Sequence, residues 1–469
     1  MTDSPLKPSR PSTSPTKVST VAFAALLTAV VAATPSPATL SGPITGGERG
    51  TPFAAVNVAD RGYLTEEYFL EGEATAYELV DGTHSADGRW QTRASGQKAG
   101  FKTRMLVVRP KDAAAFNGTV IVFWLNVTAG FELGSASDEA LRGYAWVGVS
   151  AQKVGVHGFS QNPGGLKAWD PKRYGSLEHP GDAYSYDIFT QVASAIGPDR
   201  GRQGLDPMGG LDVERLIAAG ASQSAARLRT YINGVHPLTE LFDGYLPFID
   251  FGGIVPFASE RGGGHRGRSL ASIRSDLDVP VIVVNSETEL TSYHSIREPD
   301  SARFRLWEVP GTSHVSAARP KERTVEGSNW LSYSPVYQAA IRHLHRWITD
   351  GVEPPSMPRV EMKAGEARPE VVRDEHGNAV GGIRLPELEA PTASHSGFGT
   401  QREGTRFGFL YGTATDFDSE QLATLYPDSK HYLDAWNAAL DRTIEQGMIL
   451  PEDAPEMRER AAAWAARLD

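Results

Sequence analysis

The 469-residue chain contains no cysteine. Disulfides, thiolate-bound metals and cysteine nucleophiles are thereby excluded. It also lacks a positive excess: its net charge is −11, which argues against the basic stripe that a nucleic acid partner requires. No P-loop, no H-E-x-x-H and no cluster with metal-ligand spacing occurs, so neither a cofactor nor a metal is expected. His343 and His345 lie two apart on a predicted helix and face different sides, which makes them poor co-ligands. Gly262-x-Gly264-x-x-Gly267 satisfies G-x-G-x-x-G. No strand leads into it, however, and it reads as a flexible basic loop rather than a nucleotide site. No repeat of solenoid period is present.

With 40% hydrophobic and 22% charged residues, the composition is that of a globular protein able to bury a sizeable core. Residues 1–38 stand apart. Lys7, Arg10 and Lys17 precede a short Ala-rich apolar run over 18–33, followed by Pro and Ser. This pattern reads as a secretory signal peptide, which predicts export and no stable membrane insertion after processing. The run is too short for a comfortable membrane span. A disordered extension on a cytoplasmic protein is the alternative.

Short unbroken apolar runs at 118–127, 145–152, 214–219, 280–285 and 304–309 predict strands buried on both faces. Segments 66–79 and 103–109 predict earlier strands. Helices are predicted at 183–196, 223–233 and 335–350, so strands and helices alternate. The expected class is α/β: a mostly parallel sheet with helices on both faces, over 39–469. After residue 350 the character changes, with Pro354, Pro355 and Pro358 breaking the chain. Residues 351–469 read as an appended segment of loops, a hairpin and two helices (428–446 and 454–468) that packs on the sheet and roofs a pocket.

One strand-to-helix junction carries chemistry. In Gly220-Ala221-Ser222-Gln223-Ser224 the serine sits where an apolar strand meets a helix, the arrangement of a nucleophile elbow, G-x-S-x-G. Ser224 in place of the final glycine is a departure, though a small one. A serine hydroxyl needs a base, and position must choose it among 12 histidines. His314 follows the last predicted strand in Gly311-Thr312-Ser313-His314, which makes it the expected base. A third group should orient it. The strand at 280–285 runs into Ser286-Glu287-Thr288-Glu289, which favours Glu289 as the acid, with Glu287 the alternative and Asp250 a weaker one. The order Ser, acid, His is that of α/β-hydrolases, unlike chymotrypsin or subtilisin. Two N–H groups should hold an oxyanion: that of Gln223 and one near Asn126 and Val127, with Asn126 able to offer its side chain instead.

With those residues assembled, the chain resembles a bacterial family of α/β-hydrolase-domain proteins from about residue 40 onward. The resemblance rests on Gly62-Tyr63 with Glu67-Tyr68-Phe69, on Trp124-Leu125-Asn126-Val127, and on Asp170-Pro171-x-Arg173-Tyr174 through Asp182-x-Tyr184-Ser185-Tyr186-Asp187. It continues in Gly220-x-Ser222-Gln223-Ser224, Ser286-Glu287-Thr288-Glu289, Gly311-Thr312-Ser313-His314 and Gly381-Gly382-Ile383-Arg384-Leu385-Pro386. It implies an esterase-like activity on a small-molecule ester and makes G-x-S-Q-S an ordinary form of the elbow. Cleavage of an amide or peptide bond on the same residues, or a non-catalytic binding role on the same scaffold, are the competing readings.

Overall fold

Strand positions follow from the apolar runs, whose β-branched residues fit a pleat covered on both sides. The computed structural model describes residues 1–2, 38–52, 57–161, 164–201, 204–258, 269–316, 327–365, 369–399, 407–466 and 468. The predicted leader and the Gly262–Gly267 loop lie outside these residues.

Nine strands form one sheet: β1 (Thr39–Ser41), β2 (Tyr63–Leu79), β3 (Thr92–Pro110), β4 (Thr119–Trp124), β5 (Ala145–Val149), β6 (Arg215–Ala221), β7 (Gly244–Phe248), β8 (Val281–Ser286) and β9 (Phe304–Val309). Their spatial order is β1-β2-β3-β5-β4-β6-β7-β8-β9. The pairs β1–β2, β2–β3 and β3–β5 are antiparallel. From β5 to β9 every pairing is parallel. The crossover between β5 and β4 and the parallel run beyond it are those of an α/β-hydrolase sheet.

The β2–β3 ribbon is longer than the apolar pattern implied. Residues 92–102 (TRASGQKAGFK) are largely polar and exposed, so their strand state comes from backbone pairing with β2. Phe101 alone is buried there, too little to write a pattern into the sequence.

Alternation along each central strand feeds two cores. Ile121 and Phe123 of β4, with Ile217 and Ala219 of β6, face one side. Val120, Val122 and Trp124, with Leu216 and Ala218, face the other. Helix α1 (Ser185–Ile196) and α2 (Gln223–Thr230) cover the second side. Helix α3 (Ser334–Asp350), α4 (Ser429–Glu445) and α5 (Ala454–Ala465) supply the first. The residues after 350 thus complete a core of the sheet: Trp436, Leu440 and Met457 share one apolar cluster with Trp307 and Trp347. A short antiparallel pair, Ala393–Ser396 with Thr413–Asp416, lies within that stretch. The described residues from 38 onward form one compact unit. Among the described residues no helix is long and apolar enough to cross a membrane.

Candidate active site

The parallel strands point their carboxyl ends to one edge, where open α/β sheets bind ligands. Ser222 lies there, between β6 and α2. Its backbone adopts φ 58° and ψ −112°, a strained conformation for a residue with a side chain. The turn is held by the Ser222 N–H donating to the Phe248 C=O at 3.0 Å. Gly220 explains the missing second glycine. A Cβ at 220 would stand 3.1 Å from the Ser224 carbonyl oxygen and 3.3 Å from Ser224 Cβ. With position 220 bare, position 224 can carry a side chain.

His314 is buried in the loop after β9, and its Nδ1 lies 2.6 Å from Glu289 Oε1. The other carboxylate oxygen of Glu289 accepts from the Ser286 N–H at 2.8 Å and the Ser286 hydroxyl at 2.5 Å. Ser286 and Glu289 form a capping box at the end of β8, so one oxygen serves the turn while the other meets the imidazole. Two further contacts fix the ring. The His314 N–H donates to Thr288 Oγ1 at 3.0 Å, and Phe251 stacks on the imidazole with centroids 5.1 Å apart.

Glu287 has a different surrounding. It is fully buried and forms an ion pair with Arg373. It also accepts N–H bonds from Gly311 at 2.8 Å and Gly397 at 3.1 Å. Its role in the fold is to tie the histidine loop to the chain after residue 350. Gly397 has no room to be anything else: a Cβ there would lie 2.6 Å from Glu287 Cβ, the Thr288 nitrogen and the Thr312 oxygen. Asp250 is taken up by Arg229 of α2, whose Nε and Nη2 approach its Oδ2 at 2.9 and 2.8 Å. Of the three carboxylates considered, the structure brings Glu289 to His314 and commits the other two elsewhere.

Asn126 braces the neighbouring loop. Its backbone N–H donates to the Leu133 C=O at 2.9 Å. Its side-chain amide donates one N–H to the Ala221 C=O at 3.1 Å, beside Ser222, and its Oδ1 accepts from the Thr128 N–H at 2.8 Å. These bonds hold the loop against the elbow, and Asn126 itself lines the cavity. Val127, buried beside it, takes a Gly130 N–H on its C=O at 3.0 Å. Gln223 opens α2, whose first intrahelical bond is donated by Ala226 to the Ser222 C=O at 3.1 Å. The N–H groups before it belong to the set that every helix start leaves without an intrahelical acceptor.

Ser222 and His314 line a common cavity of about 660 Å³, within the usual range for small-molecule sites. Its walls include Phe123, Phe248 and Tyr337 from the sheet region, with Phe407, Leu410 and Tyr411 from beyond residue 350. Sequence reasoning missed Ser286, Thr288 and Arg373. The first was within reach, since Ser286-x-x-Glu289 is a capping-box spacing. Arg373 was not, because its partner lies 86 residues away. Among the described residues no group of three or more acidic or histidine side chains is placed to hold a metal ion.

No curated protein matches the chain by sequence. By structure it is similar to an assigned dienelactone hydrolase from Klebsiella pneumoniae subsp. pneumoniae MGH 78578 (16% identity, covering 51% of this chain and 85% of that one, TM-score 0.27). It is similar also to oligopeptidase B from Leishmania major (13% identity, 62% of this chain and 37% of that one, TM-score 0.30). A third is esterase Est22 (12% identity, 49% of this chain and 64% of that one, TM-score 0.25). Likeness this distant says nothing of substrate. The sequence profile of a family described as an alpha/beta hydrolase domain, in contrast, matches residues 40–459. That span takes in all of strands β2 to β9 and most of the chain beyond residue 350, and the chain belongs to this alpha/beta hydrolase family.

Proposed function

We propose that the protein hydrolyses carboxylic esters through an acyl-enzyme, with Ser222 as nucleophile, His314 as base and Glu289 as the group that orients it. The observation that carries this reading is the buried Glu289–His314 pair at 2.6 Å, opening on the cavity that Ser222 also lines.

A carboxylate only accepts hydrogen bonds, so Glu289 places the imidazole proton on Nδ1 and the acceptor lone pair on Nε2. Nε2 then takes the Ser222 proton as Oγ attacks the ester carbonyl carbon. The tetrahedral oxyanion is held by main-chain N–H groups of Gln223 and Val127. Collapse expels the alcohol, which leaves with the proton from His314. A water molecule, deprotonated by the same ring, attacks the acyl-enzyme, and the second collapse releases the acid and restores Ser222. The cycle requires no cofactor.

The test is covalent labelling by a fluorophosphonate together with turnover of p-nitrophenyl esters. Wild type should show both. Ser222→Ala should lose labelling, and turnover should fall on the order of 10⁴-fold or more. Labelling retained in Ser222→Ala would overturn the assignment.

A further inference from the structure

The strand that ends beside the nucleophile is bent in an unusual way. Phe248 and Ile249 are consecutive residues at the end of β7, and an extended strand would send them to opposite faces. Both nevertheless line the cavity and belong to the same apolar cluster. The bend is made at Ile249, whose φ is +43°. For a β-branched side chain this is a true outlier, and such strain persists only where the surroundings impose it. Here the surroundings are plain. The Ile249 N–H is held by the Val284 C=O at 2.8 Å, and Asp250, next in line, is held by Arg229 on the far side.

The result is an apolar wall that begins at the nucleophile. The Phe248 carbonyl accepts the Ser222 N–H. The Phe248 ring packs against Tyr337, with centroids 4.2 Å apart, and against Phe123 at 6.1 Å.

We infer that the site takes esters with an apolar, ring-bearing acyl group, seated on Phe248, Ile249 and Tyr337. This rests on the ester-hydrolase reading above and assigns it a substrate class.

The experiment compares kcat/KM for the p-nitrophenyl esters of acetic and phenylacetic acids. Phenylacetate should exceed acetate by about ten-fold or more, the scale that apolar pocket contacts supply. In Ile249→Gly, which relieves the backbone strain while removing the side chain, the phenylacetate-to-acetate ratio should drop several-fold. Phe248→Leu, which keeps bulk but loses the ring, should lower it too and serves as a second test should the glycine variant fail to fold. Acetate turned over as well as phenylacetate would overturn the inference. So would unchanged ratios in a variant that folds. Failure of the underlying reading looks different: no ester in the series is turned over and Ser222 resists the fluorophosphonate.

Discussion

The two sides of the cavity are written in different kinds of sequence. On the sheet side, Ser222, Glu289 and His314 follow β6, β8 and β9, and each strand is a run of buried residues. On the other side stands chain from beyond residue 350, whose strands are four residues or fewer. Yet this second stretch supplies Arg373 and Gly397 to Glu287 and the lining residues Phe407, Leu410 and Tyr411 to the cavity. A strand's state is announced by its own period, whereas a clamp is a relation between distant residues. The segment expected to be an appendage is a structural partner of the histidine loop.

Glu287 and Glu289 sharpen that contrast, because two neighbouring buried carboxylates serve opposite sides. The largest expected effect is on the sheet side. Glu289→Gln should keep the side chain's shape but lose the charge that orients and stabilises the imidazolium, lowering kcat by about 10³–10⁴-fold. Glu287→Gln should cost far less turnover. Steady-state kinetics on both variants decide it, and equal losses would mean that the two carboxylates are not divided in this way.

The next effect belongs to the far side. Arg373→Ala leaves Glu287 buried without its cation, which typically destabilises by about 3–5 kcal/mol. Arg373→Lys should recover part of this, though not the forked contact. Denaturant midpoints for the three proteins give the comparison. An Arg373→Ala protein as stable as wild type would reduce the clamp to an incidental contact.

The smallest effect lies in a buried loop before α1, outside the cavity lining. His179 is fully buried, and that burial lowers its pKa to about 4. Its Nε2 meets the Ala151 C=O at 2.9 Å, and its Nδ1 accepts the Gly181 N–H at 3.3 Å. The unfolded chain takes up a proton near pH 6.5 that the folded state refuses until about pH 4. Stability therefore falls as pH drops through that window and levels off below it. The contribution is at most roughly 3 kcal/mol. The loss in Tm between about pH 7 and pH 5 should be smaller in His179→Gln than in wild type. Equal losses would place the acid sensitivity elsewhere.

Much of the fold was legible. Although β7 was not predicted, five of the six parallel strands and the three main sheet-region helices appear within a few residues of where apolar periodicity put them, because burial on both faces leaves an unbroken trace. The polar half of β3 left none. Around the site, chain order pointed to the elbow, the acid loop and the histidine loop. It favoured Glu289 but could not exclude Glu287, since the two are separated by one residue in one short turn. Nor could it anticipate that Asn126 braces the elbow, because its partners, Ala221 and Leu133, are joined to it only by the fold.

By itself, then, the amino-acid sequence determined the α/β class, the strand-to-helix turn at Ser222 and the order in which serine, acid and histidine follow along the chain. These are local or sequential properties, carried by period and spacing. The tertiary structure decided which glutamate meets His314, what Glu287 binds, and how Phe248 and Ile249 come to share one wall. Those are contacts between segments far apart in the chain, and they exist only once the strands have set the distances among them.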